Sequence, residues 1–73
     1  MNCLKLKGKR ISLGVTRSGA GAVIGKNENT YAYKERGDTA ITLDEAGKLA
    51  IDWKMSFEEF NDIFFDGILP FGK

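Results

Sequence analysis

The stretch ITLDEAGKLAIDW, residues 41–53, decides the predicted fold. Large apolar residues recur at every second position on both sides of the central segment DEAG, residues 44–47. Such alternation is typical of a strand with one buried face. Asp at the first position and Gly at the fourth position suit a type I turn. The stretch therefore predicts a β-hairpin whose two arms bury the same face.

The residues before this hairpin show the same period of two in shorter runs. Alternating segments occur at residues 4–7, 11–16 and 30–35, and Gly and Asn residues separate them. Gly and Asn favour turns because they tolerate left-handed backbone angles. We therefore predict β-hairpins over residues 1–55 that form a small antiparallel sheet of about four to five short strands.

The C-terminal part predicts a single helix over residues 56–66. Ser56 is followed three positions later by Glu59, which is the spacing of a capping box. Gly67 supplies a left-handed stop residue. The expected fold is α+β, with this helix packed on one face of the sheet and an apolar tail over residues 67–73. A five-stranded barrel closed by the helix is the rival architecture.

Composition limits the classes of function. The chain has 73 residues, and this length fits one domain over residues 1–73. It contains no His and one Cys. Without His, the commonest general base and zinc ligand is missing. We therefore predict no enzyme: no catalytic residue, no cofactor and no metal. No apolar run approaches the roughly 18 residues of a membrane span, so we predict a cytoplasmic protein without membrane contact.

The net charge of +1 conceals an uneven distribution. Residues 1–36 carry eight basic and two acidic residues, a net charge of +6, whereas residues 37–73 carry three basic and eight acidic residues, a net charge of −5. Such asymmetry indicates either pairing between the two halves or a basic face for an anionic partner. The sequence leaves both interpretations open.

The basic N-terminal half also contains all but one of the residues expected to bind a partner. Its lysines and arginines would meet an acidic protein surface and steer association, and apolar neighbours would provide the desolvated anchor. The predicted partner-binding residues are Leu4, Lys5, Leu6, Lys7, Lys9, Arg10, Arg17 and Phe65.

A second hypothesis concerns the two tyrosines of the predicted strand at residues 30–35. Tyr31 and Tyr33 would share one strand face beside Lys34. Aromatic rings stack on unpaired bases while basic side chains contact phosphates. Together with the basic N-terminal strands, this arrangement would make the chain a small β module that binds single-stranded nucleic acid, whereas inward-pointing tyrosines would belong to the core.

The basic opening MNCLKLKGKR, the compact hairpins and the acidic-aromatic segment FEEFNDIFFD together resemble small lytic-phage proteins that bind host RNA polymerase. The resemblance covers the whole chain in length and general appearance, and it transfers no individual residue. It implies a non-enzymatic regulator that docks on a larger host protein, with bacterial RNA polymerase as the favoured partner and the host cytoplasm as the compartment. We expect a monomer; a subunit of a virion or an oligomer is the remaining interpretation.

Overall fold

A computed structural model describes residues 1–70, and the regular secondary structure in this range is entirely α-helical. There are five helices here: α1 (Cys3–Ser12), α2 (Arg17–Ile24), α3 (Glu28–Arg36), α4 (Leu43–Asp52) and α5 (Phe57–Phe65). No residue from 1 to 70 lies in a strand. The predicted α+β fold, with its antiparallel sheet over residues 1–55, is therefore wrong.

Each helix begins at a short polar side chain that satisfies a free backbone N–H group. In every case the side-chain oxygen accepts a hydrogen bond from the N–H three residues further on, which stabilises the first helical turn. The five N-cap residues are Asn2, Thr16, Asn27, Thr42 and Ser56. The polar positions that suggested turns between strands therefore mark the starts of helices.

The predicted hairpin over residues 41–53 is helix α4. Thr42 and Glu45 form a reciprocal capping box, in which each side chain accepts a hydrogen bond from the other's backbone N–H. The DEAG segment, residues 44–47, therefore lies in the first turns of a helix. A capping box defines a helix start more specifically than a short alternation defines a strand, because short apolar runs fit both periods.

Burial along α4 follows the helical period. Ala46, Leu49 and Trp53 are buried and have the spacing i, i+3 and i+7, which places them on one side of a helix. Leu43 and Ile51, which the hairpin would have buried, are 69% and 81% exposed. The alternation in this segment thus combined buried positions with exposed ones.

The same error affects the first predicted strand. Leu4 and Leu6 lie on α1, where Leu6 is fully buried and Leu4 is 82% exposed. Side chains two positions apart on a helix point in directions about 200° apart, so they cannot share a face.

The hydrophobic core lies where all five helices meet. α2 contacts both α3 and α4, and α1 contacts α3 and α5. The buried apolar side chains are Leu6, Ala20, Ile24, Tyr31, Ala46, Leu49, Trp53, Ile63 and Phe64. No helix in residues 1–70 has the length and the apolar character needed to cross a bilayer.

The tail after α5 is held by a side-chain amide. Asn61 is buried, and its amide group donates to the Leu69 carbonyl and accepts from the Leu69 N–H, both at 3.0 Å. Ile68, however, is exposed. The last part of the predicted tail, residues 71–73, lies outside the described residues.

Helices α2 and α3 are joined by a tight turn, residues 25–27. Gly25 ends α2 in the left-handed region with φ of 72°, and Asn27 caps α3. Gly21 is buried on α2, and a Cβ added there would lie 2.7 Å from the Lys26 carbonyl oxygen. The missing side chain therefore allows the turn to pass directly over α2.

This close approach gives a matched pair of glycine substitutions. We expect Gly21→Ala to destabilise the protein by about 1–3 kcal/mol, because the new methyl group overlaps backbone atoms. Gly8→Ala on α1 should stabilise it by about 0.5–1 kcal/mol, since the added Cβ meets no atom within 4 Å. Urea unfolding followed by circular dichroism measures both effects, and equal stabilities for the two variants would contradict the packing at Gly21.

Candidate functional site

The predicted partner-binding residues on α1 do not form one open surface. Leu6 and Arg10 are buried, so they contact other parts of the chain rather than a partner. Leu4 and Lys7 are exposed. Arg17 is exposed at the first position of α2.

Two of the predicted lysines are paired with α5. The Lys5 Nζ atom lies 2.6 Å from Asp62 Oδ2, and the Lys9 Nζ atom lies 2.8 Å from Glu59 Oε2. The N-terminal amine lies 3.5 Å from Asp66. These contacts support internal pairing as the main reason for the opposite charges of the two halves. Phe65, at the end of α5, is half-buried, and its ring centroid lies 5.6 Å from that of Phe60.

The two tyrosines of the nucleic-acid hypothesis lie on different sides of α3. Tyr31 is fully buried, whereas Tyr33 is 48% exposed. Lys34 donates to the Ala40 carbonyl oxygen and pairs with Glu45 at 3.0 Å. Tyr31 and Tyr33 therefore do not form a shared stacking surface. Because residues 1–70 contain no strand, the predicted β architecture of this module is wrong.

A buried ion pair joins α1 to α3. Arg10 Nε and Nη2 donate to the two carboxylate oxygens of Glu35 at 2.7 and 3.1 Å. Arg10 Nη1 donates to the Val15 carbonyl oxygen at 2.9 Å. The guanidinium group thereby fixes the α1–α2 connection as well as α3. Burial by itself would raise the pKa of Glu35, but the Arg10 hydrogen bonds hold that pKa below its usual range.

A second ion pair joins α3 to α4 and is formed by half-buried Lys34 and buried Glu45. Glu45 is buried, accepts from the Thr42 N–H and pairs with Lys34. Burial opposes ionisation of this carboxyl group, yet these two partners hold the pKa of Glu45 below its usual range. Two charged side chains of α3, Lys34 and Glu35, thus form ion pairs that hold the helix against α4 and α1.

The outer side of α3 contrasts with the inner one. Asn29, Tyr33 and Arg36 have the spacing i, i+4 and i+7, which forms a ridge opposite buried Tyr31. We call these three residues the outer ridge of α3. All three are exposed. The Arg36 guanidinium carbon lies 4.9 Å from the centroid of the Tyr33 ring, and Arg36 also donates to Asp38 at 2.8 and 3.0 Å.

Four cationic side chains in residues 1–70 make no ion pair or hydrogen bond. Three of them lie on the helices or turn that surround α3, and the fourth is Lys54, between α4 and α5. The three are Lys7 on α1, Arg17 at the start of α2 and Lys26 in the α2–α3 turn. Lys7 and Arg17 both line a cavity of about 310 Å³ that also contacts Ala32 and Arg36 of α3.

A larger groove of about 740 Å³ lies between the N-terminus, the α3–α4 connection and α5. Cys3, Ile41, Leu43, Phe64 and Phe65 are among its lining residues. No group of three His, Cys, Asp or Glu side chains in the described part of the chain is arranged to hold a metal ion.

Sequence reasoning missed the unit formed by α2, the turn and α3. Its signals were present: a Thr16 cap, a left-handed Gly25 after eight helical residues, and an Asn27 cap two positions later. The length of this turn and its Gly match the connection between the two helices of a helix-turn-helix motif. The apolar run at residues 22–24 is too short to indicate a helix by its periodicity, so the first of the two helices was not predicted.

The chain matches no protein-family model, no curated protein and no solved structure at a significant level. Docking on RNA polymerase and the absence of enzymatic activity therefore stay predictions.

The buried pair predicts a large loss of stability when one partner is removed. We expect Glu35→Ala to destabilise the protein by about 3–5 kcal/mol, because Arg10 would keep a buried charge without its counterion. The double variant Arg10→Met/Glu35→Leu should recover much of this loss. Chemical unfolding of the single and double variants measures the effect, and a double variant less stable than Glu35→Ala would contradict this account.

The depressed pKa values predict sensitivity to acid. Glu35, Glu45 and Glu59 ionise more readily in the folded chain than in the unfolded chain. The main cause of the lowered pKa of Glu59 is the hydrogen bond that its carboxylate accepts from Lys9. Their contribution to stability is complete above the pKa of an unfolded Glu, about 4.3, and is lost as the pH falls through the folded values.

The free energy of unfolding should accordingly be nearly constant between pH 5 and 7 on account of these groups, and should fall below about pH 4. Urea titrations at several pH values measure it. Below about pH 4, Glu59→Gln should reduce the slope of the unfolding free energy against pH. Glu58→Gln alters an exposed neighbour on the same helix and should change this slope less. Identical slopes for the two variants would exclude Glu59 as a contributor.

Proposed function

We propose that this protein is a non-enzymatic regulator that binds double-stranded DNA through its α2–turn–α3 unit. The main support is the division of α3 into two sides. Its inner side is fixed by buried Tyr31 and Glu35, and its outer ridge is exposed. In DNA-binding helix-turn-helix proteins the second helix enters the major groove while the first crosses the backbone. Helix α3 corresponds to that second helix.

The dimensions of α3 suit this role. It has nine residues, and a single α-helix fits the width of the major groove of B-DNA. Arg10 of α1 and Glu45 of α4 hold it through ion pairs with its Glu35 and Lys34, respectively. A surface that is rigid before binding loses less conformational entropy on association. The inner contacts of α3 therefore favour its use as a recognition surface.

The unpaired cations support the same proposal. Lys7 and Arg17 line a cavity with Ala32 and Arg36 of α3, and Lys26 directly precedes the N-cap of α3. The phosphates of a duplex seated on α3 would pass close to these three residues. Phosphate contacts supply most of the sequence-independent affinity for DNA. Two acidic side chains of α5 that could oppose such contacts are paired with α1: Glu59 with Lys9, and Asp62 with Lys5. The near-neutral chain thus keeps the positive charges of Lys7, Arg17 and Lys26 available for phosphates.

The duplex preference separates this proposal from the single-strand hypothesis. Fluorescence anisotropy with labelled random-sequence DNA should show tighter binding to duplex than to single strands at about 50 mM salt, with non-specific dissociation constants of roughly 10⁻⁴–10⁻⁶ M near physiological salt. Absence of duplex binding at low salt, or a preference for single strands, would refute the proposal.

The free cations lead to a quantitative prediction. Lys7→Gln, Arg17→Gln and Lys26→Gln should each weaken duplex binding, and each should reduce the slope of log K against log salt concentration by about 0.9, because one phosphate contact is lost. Lys54→Gln is the matched control, since Lys54 is another exposed and unpaired lysine but lies beyond α4. It should leave both affinity and slope unchanged.

A further inference from the structure

The side chains on the outer side of α3 indicate which base pairs this surface would select, an inference that rests on the proposed DNA binding. α3 carries two basic residues, Lys34 and Arg36. Guanine is most often recognised by an Arg or Lys that donates to its O6 and N7 atoms. Whether either residue is available for such a contact decides whether α3 can recognise guanine in this way.

Both basic residues of α3 are engaged within the chain. The Lys34 ammonium group donates to the Ala40 carbonyl oxygen at 2.8 Å and lies 3.0 Å from Glu45. The Arg36 guanidinium group lies over the Tyr33 ring, and its Nε and Nη2 atoms donate to Asp38. Arg36 is also the last residue of α3, whereas the N-terminal residues of a recognition helix make the base contacts. Neither is placed to donate to guanine.

The N-terminal half of α3 instead presents a carboxylate and an amide. Glu28 and Asn29 are exposed, and they are the first two residues of the helix. An Asn side chain bonds adenine at both N6 and N7. The Glu28 carboxylate accepts hydrogen bonds only, so in the major groove it can pair with the amino group of adenine or of cytosine and does not distinguish A·T from G·C pairs. Asn29 is therefore the residue in this half of α3 that favours adenine.

Tyr33 lies one helical turn after Asn29 on the outer ridge. Its ring is 48% exposed, and Arg36 stacked at 4.9 Å restricts its orientation. In the major groove, apolar side-chain surface makes favourable contact with the methyl group of thymine. The ring therefore adds a second element that favours A·T pairs.

We propose that α3 selects A·T base pairs in the major groove, with Asn29 bonded to adenine N6 and N7 and Tyr33 against a thymine methyl group. The free cations Lys7, Arg17 and Lys26 provide the charge complementarity that seats the duplex. The selected partner is B-form duplex DNA with consecutive A·T pairs.

The full chain should first be used to enrich duplexes from a randomised library. Sequences with adjacent A·T pairs should emerge. On the enriched duplex, Asn29→Ala should lose roughly 5- to 150-fold in discrimination between the A·T pair and G·C, the range measured for one bidentate contact. Asp52→Ala, which changes an exposed residue of α4, is the control and should keep the wild-type discrimination.

Base analogues identify the atoms involved. Replacing the contacted adenine with 7-deazaadenine should weaken the wild-type protein and leave Asn29→Ala unaffected. Replacing the contacted thymine with uracil should weaken the wild-type protein and leave Tyr33→Ala unaffected.

The outcomes separate this inference from the proposed function. Enrichment of guanine at the positions that depend on Asn29, or equal losses from 7-deazaadenine in the wild-type protein and Asn29→Ala, would overturn the A·T assignment while leaving DNA binding intact. Failure to retain any duplex, by a chain whose circular dichroism spectrum shows the folded helical state, would overturn both.

Discussion

The bidentate contact between Arg10 and Glu35 links the parts of this molecule that are distant in sequence. It connects α1 to α3. Arg10 also donates a hydrogen bond to the Val15 carbonyl oxygen, which ties down the segment that leads into α2. A buried pair of charges tolerates little displacement, because each group loses its solvation and depends on the other's geometry. The orientation of α3, and hence of its outer ridge, is therefore set by side chains that lie on its opposite side.

The extent to which the sequence predicted the structure depended on the specificity of each local signal. The start of α5 was predictable because Ser56 and Glu59 form a recognised pair at a fixed spacing. Thr42 and Glu45 have the same spacing, but the apolar alternation around them also fits a strand. Strand-like alternation over a few residues is weak, since a helix that buries Ala46 and Leu49 and exposes Leu43 and Ile51 generates it as well.

The candidate site was only partly predictable. Basic charge in the first half was visible, yet composition cannot show that Lys5 and Lys9 are paired with α5 while Lys7 between them remains free. Helical geometry explains the difference: positions 5 and 9 lie on one side of α1, and position 7 lies on the other. Tyr31 and Tyr33 separate for the same reason, which no strand-based interpretation could have revealed.

Helix α2 contains Gly19 and Gly21 within eight residues, RSGAGAVI. Each glycine disfavours the helical state by about 0.8–1.0 kcal/mol relative to alanine, and an isolated helix of this length is unstable in water. Its order therefore comes from contacts with α3 and α4. The segment cannot act as an autonomous module: a peptide of α2 and α3 alone would be largely unstructured, so any function of this surface is inseparable from cooperative folding of the whole domain.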